Sequence, residues 1–111
     1  METRTLGKAA LAVPVIGMGT WQTLDVRGAR AEANARTIVD HALDAGARFF
    51  DSSPMYGEAE RVLGHALDGR REAALVATKV WASTVAQGVH KSNGRSRSSA
   101  GGSISIRFTI S

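Results

Sequence analysis

The chain has 111 residues, 43% of them apolar, which is enough for one domain with a modest core. It has no cysteine, which excludes a disulfide framework and thiolate metal ligands. Its three histidines, His41, His65 and His90, lie too far apart for a zinc spacing, so no metal site is expected. No apolar run approaches the ~20 residues that span a bilayer. The first residues include Glu2 and lack a signal-type apolar stretch, so no membrane contact is expected and the cytoplasm is the default compartment. The net charge of +4 suggests a nucleic-acid binder until its distribution is considered. Residues 1–88 hold ten Lys or Arg against ten Asp or Glu. The four excess positive charges, Lys91, Arg95, Arg97 and Arg107, all follow Gly88.

Residues 5–16 predict a hairpin, with Leu6 on one arm, Leu11, Val13 and Val15 alternating on the other, and Gly7-Lys8 at a turn. Ile16 to Trp21 reads as a short buried strand ending in a glycine-rich loop. From Ala31 to Ala45, apolar residues at Ala31, Ala35, Ile38, Val39, Ala42 and Leu43 mark one face of a helix, with Gly46 where a C-cap belongs. Ala47 to Asp51 reads as a strand. A second helix is expected over Glu58 to Asp68, with Val62, Leu63, Ala66 and Leu67 on one face. Ala74 to Val80 is a third strand of the near-continuous apolar kind found in parallel sheets. Alternation of strands and helices implies an α/β fold with right-handed crossovers. By itself it does not separate a barrel from a doubly wound sheet.

Three chemically competent side chains fall at strand ends. Asp51-Ser52-Ser53-Pro54-Met55-Tyr56-Gly57 follows the second strand directly, and Lys79 ends the third. In α/β folds the loops at the carboxyl ends of strands converge on one mouth. A free phenol, with a pKa near ~10, is a poor proton donor at neutral pH, and a nearby ammonium stabilises its phenolate. A carboxylate beside that ammonium keeps it charged and oriented. Such a trio makes a general acid that protonates a carbonyl oxygen while hydride arrives at carbon. Singly, each feature has a plainer reading. Tyr56 could be an amphipathic surface residue, Lys79 a solvated strand end, and Asp51 a cap for the following turn. Gly17-Met18-Gly19 lacks the third glycine and the immediate helix of a dinucleotide loop.

In combination the motifs say more. Arg4-x-Leu6-Gly7, Leu11-x-Val13-x-x-Ile16-Gly17-x-Gly19-Thr20-Trp21, Phe50-Asp51-Ser52-Ser53-x-x-Tyr56-Gly57-x-x-Glu60 and Thr78-Lys79 resemble the aldo-keto reductase family in order and spacing, over residues 4–81. The resemblance implies the N-terminal part of a (β/α)8 TIM barrel: a hairpin plus about three βα units, with the barrel incomplete. It implies Asp51, Tyr56 and Lys79 as catalytic residues. It also implies Gly19, Thr20 and Trp21, with Asp51, around the nicotinamide of NADP (NADPH), Trp21 and Trp81 on the substrate side, and a small carbonyl compound as substrate. The family's histidine after the fourth strand has no counterpart. His90 lies in a polar stretch with no strand before it.

Two domains of unlike character are therefore expected: 1–88, the barrel portion, and 89–111, a basic tail. The tail holds seven serines and four basic residues, with few large apolar side chains before Ile104, so disorder is expected apart from a weak strand at 104–110. Read one base out of phase, codons for Gly88 to Ser111 permit an apolar helical pattern followed by Ile-Asp-Leu-Tyr-Gln-Val-His-Asn, which resembles the family's fourth strand with its histidine. A frameshift near Gly88 is the expectation, and the resulting fragment is expected to be inactive. The alternative is a small α/β scaffold whose basic tail binds nucleic acid.

Overall fold

The computed structural model describes residues 1–8, 10–82 and 103–109. Strand β1 (Thr3–Leu6) pairs antiparallel with β2 (Leu11–Pro14), in the register Thr3↔Pro14 to Leu6↔Leu11. The turn between them opens on Gly7 at φ +62, a left-handed conformation that glycine adopts without strain. The Arg48 guanidinium ties this hairpin to the rest of the chain by donating to the Ala12 carbonyl at 2.9 Å.

The main sheet runs in the order β3-β4-β5-β6. Strands β3 (Met18–Gly19), β4 (Phe49–Asp51) and β5 (Leu75–Ala82) are parallel and adjacent, with Gly19↔Asp51 and Asp51↔Ala77 in register. Helix α1 (Ala29–Asp44) links β3 to β4, and α2 (Ala59–Ala66), followed by a 3₁₀ turn at Arg71–Ala73, links β4 to β5. These are the two βαβ units that the alternation of elements implied. The fold is α/β, and α1 and α2 lie on one face of the sheet.

The core lies between that face and the helices. Phe50 is fully buried at its centre, against Leu24, Ala35 and Val39 from one side and Val62, Leu63 and Leu67 from the other. Each helix presents the stripe its sequence spacing indicated, Ala35 and Val39 on α1 and Val62, Leu63 and Ala66 on α2, where Ala59 is buried as well. Helix α1 ends in a Schellman arrangement. Gly46, at φ +83, donates its N–H to the Leu43 carbonyl, and Ala47 donates to the Ala42 carbonyl. This turns the chain sharply into β4.

One expectation needs correction. The stretch from Ile16 to Trp21 is not a buried strand. Only Met18–Gly19 joins the ladder, and Ile16 and Trp21 are 60% and 65% exposed. The helices cover only the opposite face of the sheet, and Trp21 already belongs to the loop beyond the strand. What holds the segment is Gly17, because a Cβ there would lie 2.6 Å from Phe49 Cδ1 and 2.9 Å from the Phe49 carbonyl oxygen. The strand expected at 104–110 is present as β6 (Ser103–Thr109), which pairs antiparallel with β5 along its whole span, with Lys79↔Ile106 in register. Alternating Ile104, Ile106 and Phe108 give this segment β-propensity, and the edge of β5 offers unpaired backbone groups.

Candidate active site

The carboxyl ends of β4 and β5 bring three residues together. Asp51 closes β4 and Lys79 lies near the end of β5. Side chains alternate along a strand, so Phe50 and Thr78 turn toward the helices while Asp51 and Lys79 turn to the other face. The Thr78 hydroxyl accordingly hydrogen-bonds Glu60 at the start of α2. The Lys79 ammonium donates to both carboxylate oxygens of Asp51, at 2.8 and 3.0 Å, and to the Ser52 carbonyl at 3.1 Å. It also sits 4.9 Å from the centroid of the Tyr56 ring.

Tyr56 reaches this position because the chain turns tightly after β4. The buried Ser53 accepts the Met55 N–H at its hydroxyl and the Tyr56 N–H at its carbonyl, which folds residues 53–56 back over the strand end. Gly57 then takes φ +58, and its missing side chain leaves room for the Asp25 carboxylate. That carboxylate accepts the Glu58 N–H at 2.8 Å and so caps α2 from another loop. Beside this cap, Glu58 pairs with Arg27 at 2.8 Å, and its carboxyl lies below the usual range through its hydrogen bond to Arg61.

Lys79 is only partly shielded, and its electrostatics favour the charged form. Burial works against the ammonium, but hydrogen bonds to Asp51 and Tyr56 and the charges of both partners outweigh it, so its pKa lies above the ordinary lysine value. The side chains of Asp51 and Lys79 are 41% and 23% exposed, so the pair is open to a reactant. Chemically the arrangement is a phenol held beside a cation that is itself neutralised by a carboxylate.

The remaining residues singled out in the sequence divide by environment. Gly19 is exposed with open space where a side chain would stand, next to Asp51 across the β3–β4 ladder. The Trp21 ring is exposed and tilted 42° against Tyr56 at 6.5 Å. Thr20 is fully buried, with its hydroxyl directed into the sheet rather than the mouth. Trp81 lies in β5, but its side chain is outside the described residues, as is His90. A shallow cleft of about 340 Å³ runs from Asp51 and Gly19 past Met18 and Phe49 to Val13 and Val15 of the hairpin side. Sequence reasoning passed over Ser52, although it directly follows Asp51. Its carbonyl is one of the acceptors that hold Lys79. Among the described residues no three His, Cys, Asp or Glu side chains come together as a metal cluster would require, and no helix is long and apolar enough to cross a membrane.

Known proteins share this arrangement of elements. The sequence profile described as "Aldo/keto reductase family" matches residues 15–101, past the change of composition at Gly88. Pyridoxal 4-dehydrogenase of Microbacterium luteolum is 37% identical over 81 residues, covering 71% of this chain and 24% of that protein. A probable voltage-gated potassium channel subunit beta of Arabidopsis thaliana is 33% identical over 90 residues, covering 73% and 26%. Among solved structures, a Pseudomonas aeruginosa protein assigned to the aldo-keto reductases superposes with a TM-score of 0.63 at 33% identity, over 71% of this chain and 31% of the other. A second structure so assigned from that organism gives 0.60 at 35% identity, with the same coverage. The chain thus spans about a quarter of the length of these curated relatives. It belongs to the aldo/keto reductase family, and its α/β sheet is part of that family's (β/α)8 barrel.

Proposed function

We propose that this chain carries the proton-donating end of an NADPH-dependent aldo-keto reductase that reduces small aldehydes or ketones to alcohols. The observation that carries the reading is the Lys79 ammonium, which binds both Asp51 oxygens and lies against the Tyr56 ring. Tyr56 donates its hydroxyl proton to the carbonyl oxygen of the substrate. Lys79 stabilises the negative charge left on the phenol oxygen, and Asp51 holds Lys79 charged and aimed. When bound, NADPH supplies the hydride to the carbonyl carbon. The residues present suit a nicotinamide ring: Gly19 leaves space open beside Asp51, and the exposed Trp21 flanks Tyr56. Thr20 would contribute through its main chain. Trp21 and, by its position in the family pattern, Trp81 would bound the substrate. A relative named for dehydrogenation of pyridoxal, an aldehyde, supports a small carbonyl compound as reactant. The cytoplasmic setting and the choice of NADPH follow from family likeness.

The 111-residue chain alone is proposed to be inactive, because a barrel of this type has eight strands and ~250 residues. Its tail is proposed to arise from a reading-frame slip near Gly88, on the strength of the abrupt change to Ser-rich, acid-free sequence. The gene should continue in the shifted frame with barrel strands. A protein with the frame restored should reduce aldehydes with NADPH, whereas the 111-residue chain should not. In the restored protein Tyr56→Phe keeps the ring but removes the transferable proton. Turnover should fall ~10²–10⁴-fold with NADPH binding retained. Near-normal turnover by Tyr56→Phe would remove the tyrosine from its role.

A further inference from the structure

We infer that Thr20 and Ser52 are positioning residues: their buried hydroxyls fix the Asp51–Ser52 main chain so that Lys79 can bind the Asp51 carboxylate and the Ser52 carbonyl together. This rests on the proposed roles of Asp51 and Lys79, and deepens them. Thr20 and Ser52 are both fully buried, in a site whose other groups are half open. Thr20 gives the Asp51 carbonyl two donors, its main-chain N–H at 3.0 Å and its hydroxyl at 3.0 Å. The Thr20 and Ser52 hydroxyls share a hydrogen bond at 2.8 Å. On the other side, the Ser52 N–H donates to the Ala77 carbonyl of β5 at 2.8 Å, and its carbonyl accepts from Lys79. Ser52 is thus held by its N–H to β5, by its side chain to the loop after β3, and by its carbonyl to the ammonium itself.

The location of these bonds gives the pair its significance. Met18–Gly19 supplies only a two-residue ladder to β4, so the two hydroxyls extend the β3–β4 connection one step past the ladder, where Asp51 leaves the strand. A buried hydroxyl stripped of its partner is costly to leave unsatisfied. Replacing Thr20 with valine removes one of the two donors on the Asp51 carbonyl and the partner of the Ser52 hydroxyl, which loosens the peptide that aims Asp51 with the side-chain volume nearly unchanged.

The test uses the 111-residue chain and isotopic labelling of lysine, following the Lys79 Cε and Nζ resonances through an alkaline titration. Amide exchange over Leu75 to Lys79 reports whether each variant keeps its sheet. In folded Thr20→Val the Lys79 midpoint should shift downward, toward that of a lysine without partners. Thr20→Ser, which keeps the hydroxyl, should hold the parent value. A purely structural pair would lower the protection of β5 in Thr20→Val and leave the midpoint in place. Should Thr20→Val fail to fold, Ser52→Ala, which removes the other hydroxyl and almost no volume, decides on the same readout. An unmoved midpoint in the folded variants overturns the inference. The result is separable from catalysis, because a Tyr56→Phe enzyme that still turns over would sink the proposed mechanism and leave this titration as it was.

Discussion

Phe50 and Phe49 are neighbours of the same type on one strand, and their substitution should have unequal effects. Phe50 is fully buried between α1 and α2, whereas Phe49 points to the face that neither α1 nor α2 covers and lines the open cleft. Phe50→Ala removes a ring from the centre of the core and leaves a cavity, at a cost of about 3–5 kcal/mol. The described residues from 1 to 82, at ordinary densities of stability, have roughly 4–12 kcal/mol in all. Phe50→Ala should therefore lower the urea midpoint by about a quarter or more, and abolish cooperative unfolding if the parent stability lies at the low end of that range. Phe49→Ala loses contacts only on a half-solvated face and should cost about 1–2 kcal/mol, nearer the ordinary range for single substitutions. Urea denaturation followed by far-ultraviolet circular dichroism reads both. Should Phe49→Ala prove the more damaging, β4 would face the other way. A one-residue slip exchanges the two faces, so Asp51 would then point at the helices and the site would not exist.

Two further outcomes follow from particular contacts. The raised pKa of Lys79 means that its stabilising charge is fully present below the unfolded value of 10.5 and is lost as pH climbs through the higher folded value. The urea midpoint should fall above that pH in the parent and be flatter in Lys79→Met, and parallel profiles would show that the pair contributes nothing net. Gly57→Val places a β-branched residue at φ +58, with its Cβ inside the Asp25 carboxylate. A loss of about 1–3 kcal/mol is expected, by the same denaturation assay, and Gly57→Asn should be milder because asparagine tolerates this conformation.

Where one period dominated, the sequence was easy to read. The spacing of Ala35 and Val39, and of Val62, Leu63 and Ala66, reports which face of each helix is buried, because packing against a sheet rewards one stripe. The approach of Asp51 to Lys79 was also legible, because they lie toward the carboxyl ends of parallel strands that a single crossover makes adjacent. Ile16 was misread because its run of apolar neighbours resembles a buried strand, while its exposure depends on which face of the sheet is covered. β6 was legible because Ile104, Ile106 and Phe108 alternate at the end of an otherwise polar tail. The inward turn of Thr20 carries no local signature, since a threonine after two glycines of a loop is as readily solvated as buried.

A division of labour within the barrel follows from the same distinction between adjacent and distant strands. The groups proposed to handle the proton sit on β4, β5 and the turn between β4 and α2, so a single βαβ unit brings them together. Pairing on both sides, with β4 along one edge and β6 along the other, keeps the strand that bears Lys79 in register. β3, in contrast, ends the sheet, and Gly19 and Trp21 at its tip face open space. The residues assigned to the nicotinamide therefore stand at the free edge, where a closed barrel would place its last strand. A chain with this topology can assemble the proposed acid site without assembling the cofactor pocket. On that ground Lys79 should titrate in the 111-residue chain as it does in a complete barrel, even though turnover is proposed only for the latter.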